Sequence, residues 1–544
     1  MKRLPLGEQN FDKIREKDLV YVDKTRQLFD LMNLGDYVFL SRPRRFGKSL
    51  LVNTLMEIFK GRKELFKGLW IEDKITWEEY PVIRVDFSSM PIFFSPGSLE
   101  LFSEEFVRRL KKHGAEYGLS LASSSPAYCF IELLEGLHEK TGKRVVVLVD
   151  EYDKPITDFL SEPERAETHR QWLRSFFEIF KGNSDHVHFL FITGISKFSK
   201  ISLFSVLNNL LDISLLPEFN DLVGFTESEL VENFAPHLEA FATKLKITKE
   251  ELMEKLRYWY NGYSWDGQQR IYNPWSIINS LAASQLENYW FGSGTPDFLI
   301  RLIQKKHAPE QENPLLIEDF QSVSASSETF DSYDLENISL TALLFQAGYL
   351  TIREAKVEAG GNFYLLGYPN NEVRWSLSAH ILGALTTLET GLKIKPKALM
   401  LRHALSQGDQ ESFRSLIRSI FAGIPSELLK RVNEYYYQSV FYFFLNMLGV
   451  ENVVLEQAGY IGKADGALVW NGKIYIFEFK FAREGSMKSL LDAALKQVET
   501  KGYHHPYAGS GKTIWAVAIG ILFKSPAPDK PAVLAVDVEW KALA

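Results

Sequence analysis

The sequence predicts an α/β protein with a mostly parallel sheet in its first half and a separate α/β domain at its carboxyl end. Between about residues 35 and 225, short β-rich runs alternate with amphipathic helical patterns, which is typical of a parallel sheet covered by helices on both faces. A second group of strand patterns follows after residue 450. The length of 544 residues leaves room for about three or four compact domains.

Composition excludes several classes of protein. The chain is 46% hydrophobic and 24% charged, which is ordinary for a globular protein and excludes wholesale disorder. Its net charge of −7 excludes a polybasic nucleic-acid binder, so nucleic acid would have to meet a local patch. The single cysteine, Cys129, excludes an intramolecular disulfide and a cysteine-based zinc site. The charged amino terminus and the short apolar runs predict a cytoplasmic protein without a membrane span.

Changes in residue pattern and composition along the sequence predict four domains. The middle of the chain contains a helical pattern followed by two β runs around a Gly-Gly pair, which suits a winged-helix-like module. The aromatic segments WYNGYSW and YNPW are predicted to pack in a helical core. The four predicted domains are a core at 1–225, a helical extension of that core at 226–308, a linker with the winged-helix-like module at 309–395, and a carboxyl-terminal α/β domain at 396–544.

The first predicted strand, YVFLS, runs into the loop RPRRFGKS and then into a helical pattern. This strand–loop–helix context is the one a Walker A phosphate loop requires. Backbone N–H groups and the helix amino end would cradle phosphates, Lys48 would reach the β- and γ-phosphates, and the Ser49 hydroxyl would ligate Mg²⁺. Gly47 allows the backbone to approach the ligand closely. Arg42 stands where this motif usually has its first glycine.

A later strand supplies carboxylates for the same site. The apolar run RVVVLV ends at Asp150 and Glu151, about 100 residues after the loop. We expect Asp150 to hold Mg²⁺ and Glu151 to polarise the attacking water. The next strand pattern ends at Thr193, where a polar group would contact the γ-phosphate. The alternative is an ordinary polar strand end, which the continuous apolar run and the order of the strands make less attractive.

Near the carboxyl end, a predicted hairpin carries two carboxylates and a lysine. Two alternating runs flank Asn471-Gly472, a pair that favours a type I′ turn. Glu478 and Lys480 share one face of the second strand, and pairing brings Asp465 near both. Carboxylates around a divalent metal suit phosphodiester hydrolysis, and the lysine would orient the nucleophile or offset charge. An exposed hairpin face with an ordinary charge pair is the alternative.

These motifs, in this order, resemble the AAA-ATPase-like family of bacterial and archaeal proteins, which is similar to STAND-related ATPases and is usually fused to a PD-(D/E)XK nuclease-like domain. The resemblance covers almost the whole chain, and in that family an Arg-rich loop replaces the first glycine. It implies a P-loop NTPase fold for the core, with ATP and Mg²⁺ as ligands. The nucleotide-binding residues would be Arg44, Arg45, Phe46, Gly47, Lys48, Ser49, Leu50, Asp150 and Thr193.

The second site resembles the PD-(D/E)XK pattern, with Ala464 in place of the proline. The resemblance implies Asp465 and Glu478 as ligands of Mg²⁺ or Mn²⁺, and it gives Glu434, on the preceding helical pattern, as a further acidic ligand. Gln497 and Tyr503 resemble the Gln-helix motif of one nuclease branch. In the core, Arg174 is a candidate arginine finger toward a neighbouring subunit of a homo-oligomer, and a solvated helix charge is the alternative.

Two functions follow as hypotheses. The first is an ATPase coupled to a metal-dependent nuclease that acts on nucleic acid, with DNA as the expected substrate; the family context suggests a role in defence or mobile-element biology. The alternative is a STAND-type nucleotide switch whose nuclease-like domain binds without cutting.

Overall fold

The computed structural model divides the chain into two compact units. The first comprises Met1–Gly294 and Gln321–Glu372, and the second comprises Thr295–Phe320 and Val373–Ala544. The structure describes all residues except 91–97, 161, 197–206, 291–319, 321, 331–338, 359–360, 387–393, 425–433, 450–452, 460–461, 525–532 and 544.

A five-stranded parallel sheet lies at the centre of the first unit, in the order β2-β3-β4-β1-β5. Every residue of β1 and β3 is buried, which explains why both read as unbroken apolar runs. The prediction of a parallel sheet is therefore confirmed. The strands are β1 (Tyr37–Ser41), β2 (Val82–Asp86), β3 (Val145–Asp150), β4 (Val187–Gly194) and β5 (Leu211–Asp212).

Helices accompany this sheet, and an apolar core forms between them and the strands, with Val147, Phe130 and Phe176 among its fully or almost fully buried members. Because the strands are parallel, the carboxyl ends of β1, β3 and β4 lie at one edge of the sheet. The predicted site residues lie at these strand ends or shortly after them. The helices are α1 (Phe11–Glu16), α2 (Thr25–Met32), α3 (Lys48–Phe59), α4 (Ser98–Glu116), α5 (Pro126–Thr141), α6 (Lys154–Thr157) and α7 (Pro163–Gly182).

The rest of the first unit is a helical group with its own apolar core and a three-stranded antiparallel sheet in the order β6-β8-β7. The predicted hairpin after a helix is confirmed. The helices are α8 (Glu227–Asn233), α9 (Ala235–Leu245), α10 (Lys249–Tyr260), α11 (Pro274–Ala283), α12 (Ser327–Phe330) and α13 (Leu340–Ala347), and the strands are β6 (Val323–Ser326), β7 (Thr351–Glu358) and β8 (Gly361–Gly367).

The second unit contains a mixed sheet in the order β13-β12-β11-β10-β9, in which only the β11–β12 pair is parallel among the described strands. Asn471 and Gly472 both have positive φ, 48° and 73°, as the predicted type I′ turn requires. The strands are β9 (Val453–Gly459), β10 (Gly462–Trp470), β11 (Lys473–Ala482), β12 (Thr513–Lys524) and β13 (Val533–Leu543), and the helices are α14 (Asn371–Leu385), α15 (Lys395–Gln407), α16 (Gln410–Phe421), α17 (Glu434–Asn446) and α18 (Met487–Thr500).

Helix α14 begins with the last two residues of the first unit, and its remainder belongs to the second. Within the described ranges, no helix combines the length and the apolar character that a membrane crossing requires.

Candidate nucleotide and metal sites

The loop that follows β1 places the amino end of α3 at the edge of the sheet. Gly47 caps α3 with φ 95°, and Arg45 also lies in the left-handed region with φ 67°. The twelve-residue helix starts at Lys48, so its unpaired N–H groups and its dipole favour an anion beside the loop.

Lys48 is buried at the centre of this loop. Its Nζ donates to the carbonyl oxygens of Arg42 at 3.0 Å and Pro43 at 3.1 Å, and it lies 3.8 Å from Glu151 Oε1. Glu151 adopts φ 53°, a conformation that costs free energy for a residue with a Cβ. The structure therefore brings the predicted lysine and the predicted catalytic glutamate together.

Asp150 offers a buried carboxylate beside Ser49. Burial raises its pKa to about 6, the neighbouring Glu151 charge adds to this, and the Ser49 hydroxyl and Lys48 oppose it. Its Oδ1 is buried without a hydrogen-bond partner in the described structure. An unpartnered carboxylate oxygen next to a hydroxyl is a donor set that Mg²⁺ prefers, so these two residues fit the ion that accompanies ATP.

Arg84 and Asp86, on the adjacent strand β2, are members of this site that sequence reasoning missed. Arg84 Nη2 lies 3.9 Å from Asp150 Oδ2 and 3.7 Å from Asp86 Oδ2, while its Nη1 donates to Asn53 Oδ1 at 3.0 Å. Asp86 is paired in register with Asp150. The available signal was a charged pair at the carboxyl end of an otherwise apolar strand, VIRVD.

Asp153, two residues after Glu151, accepts hydrogen bonds from the residues that directly follow β4. The buried Asp153 accepts hydrogen bonds from Ser196 N at 2.7 Å and Ser196 Oγ at 2.6 Å. A Cβ on Gly194 would lie 2.6 Å from Asp153 Oδ1, so this approach requires glycine. Thr193 is fully buried, and its hydroxyl donates to the Leu40 carbonyl at 3.0 Å. Its contact with a γ-phosphate stays a prediction.

A cavity of about 490 Å³ lies beside the loop. Its lining combines the loop, Glu151 and Lys154 with many apolar side chains. A cavity lined by cationic and apolar side chains suits an anionic ligand that carries a flat apolar group, such as a nucleotide. The loop residues at the cavity are Arg44, Arg45, Phe46, Gly47, Lys48, Ser49 and Leu50, and the apolar ones include Ile14, Val20, Val22, Leu222, Val223, Phe225, Phe234, Trp275 and Ile278.

Two arginines of the loop and its phenylalanine contact aromatic rings of the helical group. The buried Arg42 lies 4.0 Å above the Trp265 ring and donates to the carbonyls of Ser214 and Phe219. The Arg45 guanidinium lies 4.2 Å above the Trp275 ring. Phe46 packs edge-on against Trp265, with ring centroids 5.4 Å apart. The aromatic segments predicted to be core packing thus also support the phosphate loop.

Arg174 lies apart from these contacts. It is exposed on α7, and its Nε lies 3.3 Å from Glu178 Oε1 one turn away. A role toward a neighbouring subunit stays a prediction.

In the second unit, the hairpin of β10 and β11 brings Asp465, Glu478 and Lys480 together. Asp465 Oδ2 accepts a hydrogen bond from the Phe479 N–H at 2.7 Å. Glu478 is fully buried, and its Oε1 accepts from Lys480 Nζ at 2.8 Å. Lys480 Nζ also donates to the Phe479 carbonyl at 2.9 Å. Glu478 is thus fully buried while Asp465 and Lys480 are partly exposed, which differs from the exposed charge pair of the alternative.

The electrostatics of this cluster favour a cation. Burial raises the pKa of Asp465 to about 6 and that of Glu478 to about 7, and nearby carboxylates, including Glu434, add to both shifts. Burial works against the charge on Lys480, yet the carboxylates around it raise its pKa. Glu478 Oε2 is buried with no partner among the described residues. Two carboxylates with an unpartnered oxygen fit Mg²⁺ or Mn²⁺, since Mg²⁺ is commonly held by one or two carboxylates and keeps several waters.

Of the accessory residues, Glu434 lies near this pair of carboxylates, and Gln497 and Tyr503 contact each other. Glu434 begins α17, and its Oε2 accepts from the Phe481 N–H at 2.8 Å. In the part of the chain that the structure describes, no three Asp, Glu, His or Cys side chains form a group that could hold a metal. Direct ligation by Glu434 therefore stays a prediction. Gln497 Nε2 donates to the Tyr503 hydroxyl at 3.4 Å, and Tyr503 is buried in a cluster that includes Ala464.

Comparison with known proteins gives two family matches. Residues 5–204 match the model described as a predicted AAA-ATPase, and residues 432–526 match a model of the PD-(D/E)XK nuclease superfamily. A protein of Azotobacter chroococcum mcd 1, named as an uncharacterized protein in the vnfD 5′ region, is 37% identical over 524 residues, which cover 95% of this chain and 96% of that protein. No solved structure matches the chain.

Proposed function

Since the chain belongs to the AAA-ATPase-like family and carries a PD-(D/E)XK nuclease superfamily domain, we propose that it hydrolyses ATP in the first unit and cleaves nucleic acid, with DNA as the expected substrate, in the second. The observation that carries this proposal is the cluster of Asp465, Glu478 and Lys480, in which a fully buried glutamate keeps one oxygen without a partner among the described residues. A structural charge pair would leave no reason for that desolvated oxygen.

At the second site, Asp465 and Glu478 would hold Mg²⁺ or Mn²⁺. A divalent ion bound there supplies an activated water and stabilises the charge that develops on the phosphodiester. The Phe479 N–H fixes one oxygen of Asp465, so the carboxylate keeps its orientation. Lys480 uses two of its three N–H groups on Glu478 and the Phe479 carbonyl, which leaves one for a phosphate oxygen or the attacking water.

At the first site, Lys48 would exchange its bonds to the loop carbonyls for phosphate oxygens of ATP. Asp150 and Ser49 would hold the accompanying Mg²⁺ through the unpartnered Oδ1 and the hydroxyl. Glu151, which lies 3.8 Å from Lys48, would orient the attacking water once the lysine binds phosphate. The apolar side chains that line the cavity would contact the base.

The proposal is tested with the purified full chain. Cleavage of DNA and RNA is measured with Mg²⁺, with Mn²⁺ and with a chelator, for the unchanged protein and for Asp465→Asn and Lys480→Ala. We expect metal-dependent cleavage of DNA that both substitutions abolish, and ATP hydrolysis that only Lys48→Ala abolishes. Cleavage that survives in both variants of the second site would rule out that site.

A second candidate is a nucleotide switch whose nuclease-like domain binds nucleic acid without cutting. The contact between Lys48 and Glu151 favours it, because a glutamate engaged by the loop lysine is not aimed at water. Nucleic-acid binding without cleavage, together with ATP that stays bound unhydrolysed, would support this candidate over the first. A role in defence against foreign DNA or in mobile-element biology rests on the family resemblance and is tested by phage or plasmid challenge of cells that express the protein.

A further inference from the structure

The phosphate loop is held by a residue that lies far from it in the chain. Trp290 Nε1 donates a hydrogen bond to the Arg44 carbonyl at 3.0 Å, across 246 positions of sequence. The Trp290 side chain is buried and packs edge-on against Tyr349, with ring centroids 5.2 Å apart. Trp290 does not line the cavity, so it contacts the loop without occupying the space proposed for ATP.

Trp290 is in turn fixed by Glu372, a fully buried carboxylate. Glu372 Oε1 accepts from the backbone N–H groups of Tyr289 at 2.5 Å and Trp290 at 2.8 Å, and Oε2 accepts from Ser276 Oγ at 2.7 Å. Hydrogen bonds to a buried carboxylate are among the stronger ones in proteins. The backbone that carries the Trp290 ring is therefore tightly positioned.

The loop conformation needs such support. Arg45, the residue after the hydrogen-bonded Arg44 carbonyl, has φ 67°. A non-glycine residue keeps a left-handed conformation only where its surroundings determine it. Without the Trp290 hydrogen bond, the loop could adopt more conformations, and ATP would have to order them on binding.

We propose that Trp290 and Glu372 are positioning residues for nucleotide binding: Trp290 fixes the Arg44 carbonyl of the phosphate loop, and Glu372 fixes Trp290. This inference rests on the proposed binding of ATP to the first unit. Glu372 lies in the first turn of α14 and is the last residue of the first unit.

The test compares two substitutions that each remove one indole N–H. Trp290→Phe keeps an aromatic ring beside Tyr349 and removes the donor to Arg44. Trp77→Phe is the matched control, because Trp77 Nε1 donates to the Glu72 carbonyl at 3.0 Å in the same unit. Dissociation constants for ATP with Mg²⁺ and steady-state kinetics are measured on the full chain.

We expect Trp290→Phe to raise the ATP dissociation constant about fivefold, as the loss of one net hydrogen bond would. Turnover at saturating ATP should stay near that of the unchanged protein, because the residue positions the loop and touches no reacting atom. Trp77→Phe should leave both quantities unchanged. Equal ATP affinities in the two variants, with ATP bound normally by the unchanged protein, would overturn the inference and leave the proposed function standing.

Glu372→Gln provides the second variant. Glutamine keeps the size of the side chain, but its amide NH₂ is itself a donor. It would face the N–H and hydroxyl groups whose hydrogen bonds the carboxylate accepts. We expect ATP binding to weaken in the same direction, and the double variant to be no weaker than the worse single variant, since the two residues act in series. If the effects of the two substitutions on ATP affinity were additive, the inference that Glu372 acts through Trp290 would be overturned. Failure of the unchanged protein to bind ATP would refute the proposed function and remove the basis of this inference.

Discussion

Lys480→Met should destabilise the second unit strongly, and the reason lies in Glu478. Among the described residues, the Lys480 ammonium is the only hydrogen-bond partner of that buried carboxylate, at 2.8 Å from Oε1, and Oε2 has none. At pH well above the raised pKa of Glu478, removing the other member of the pair leaves an uncompensated buried charge, which costs about 3–5 kcal/mol. Because the Lys480 side chain is 25% exposed and water screens part of the interaction, we expect the lower end, about 3 kcal/mol.

The double variant Glu478→Gln/Lys480→Met is the matched control. It removes both charges and keeps similar volumes, so it should recover most of the lost stability. The assay is calorimetric unfolding of the full chain in a chelator, with the transition of the second unit identified by its shift in the Glu478→Gln variant. If Lys480→Met and the double variant were equally unstable, the loss would come from packing of the lysine stem, and the argument from the buried charge would be refuted.

The Glu478 carboxylate also makes the free energy of unfolding depend on pH. The pKa of Glu478 rises from 4.5 to about 7 on folding, so the folded state binds its proton more tightly than the unfolded chain does. Without metal, the free energy of unfolding should therefore fall as pH increases from about 4.5 to about 7 and level off above that. Glu478→Gln should flatten the profile, and an unchanged slope in that variant would assign the pH dependence to other groups.

Three further predictions concern support of the sites. Arg42→Ala should lower the stability of the first unit by about 3 kcal/mol, since the buried carbonyls of Ser214 and Phe219 each lose an N–H donor; denaturant unfolding measures this. Gly472→Ala, at φ 73°, should cost about 1 kcal/mol in thermal unfolding, whereas Gly182→Ala, at negative φ, should not. Asp153→Asn should reduce ATP turnover about tenfold and leave metal-dependent cleavage intact, because it loosens the segment after β4 that borders the Glu151 turn.

Short sequence patterns predicted the strands and the turn that they form. The bounds of β1 agree with the YVFLS run, because a strand buried on both faces must be apolar at every position. The type I′ turn followed from Asn471-Gly472 because few other residue pairs accept two positive φ angles. The pairing of Asp465 with the Glu478 strand followed from the hairpin, since a tight turn fixes the register of its strands.

Contacts between remote parts of the chain could not be predicted in this way. The role of Trp290 depends on a contact across 246 positions and that of Glu372 on one across 82, and neither residue carries a local pattern that indicates it. Arg42 was noticed only as a departure from the glycine of the motif, while its burial over Trp265 depends on how the helical group packs on the loop. Such contacts are decided by tertiary packing, which periodicity and spacing do not encode.

The two sites solve one electrostatic problem in different ways. Each keeps a buried carboxylate oxygen without a described partner, on Asp150 in one unit and Glu478 in the other, and each carries a protein cation nearby. Lys480 hydrogen-bonds to its carboxylate at 2.8 Å, whereas Arg84 stays 3.9 Å from Asp150 and is shared with Asp86. In both sites burial outweighs the nearby protein cations and leaves the pKa of the carboxyl raised. Each carboxylate would therefore gain from an added divalent cation, which a bound nucleotide would bring to the first site.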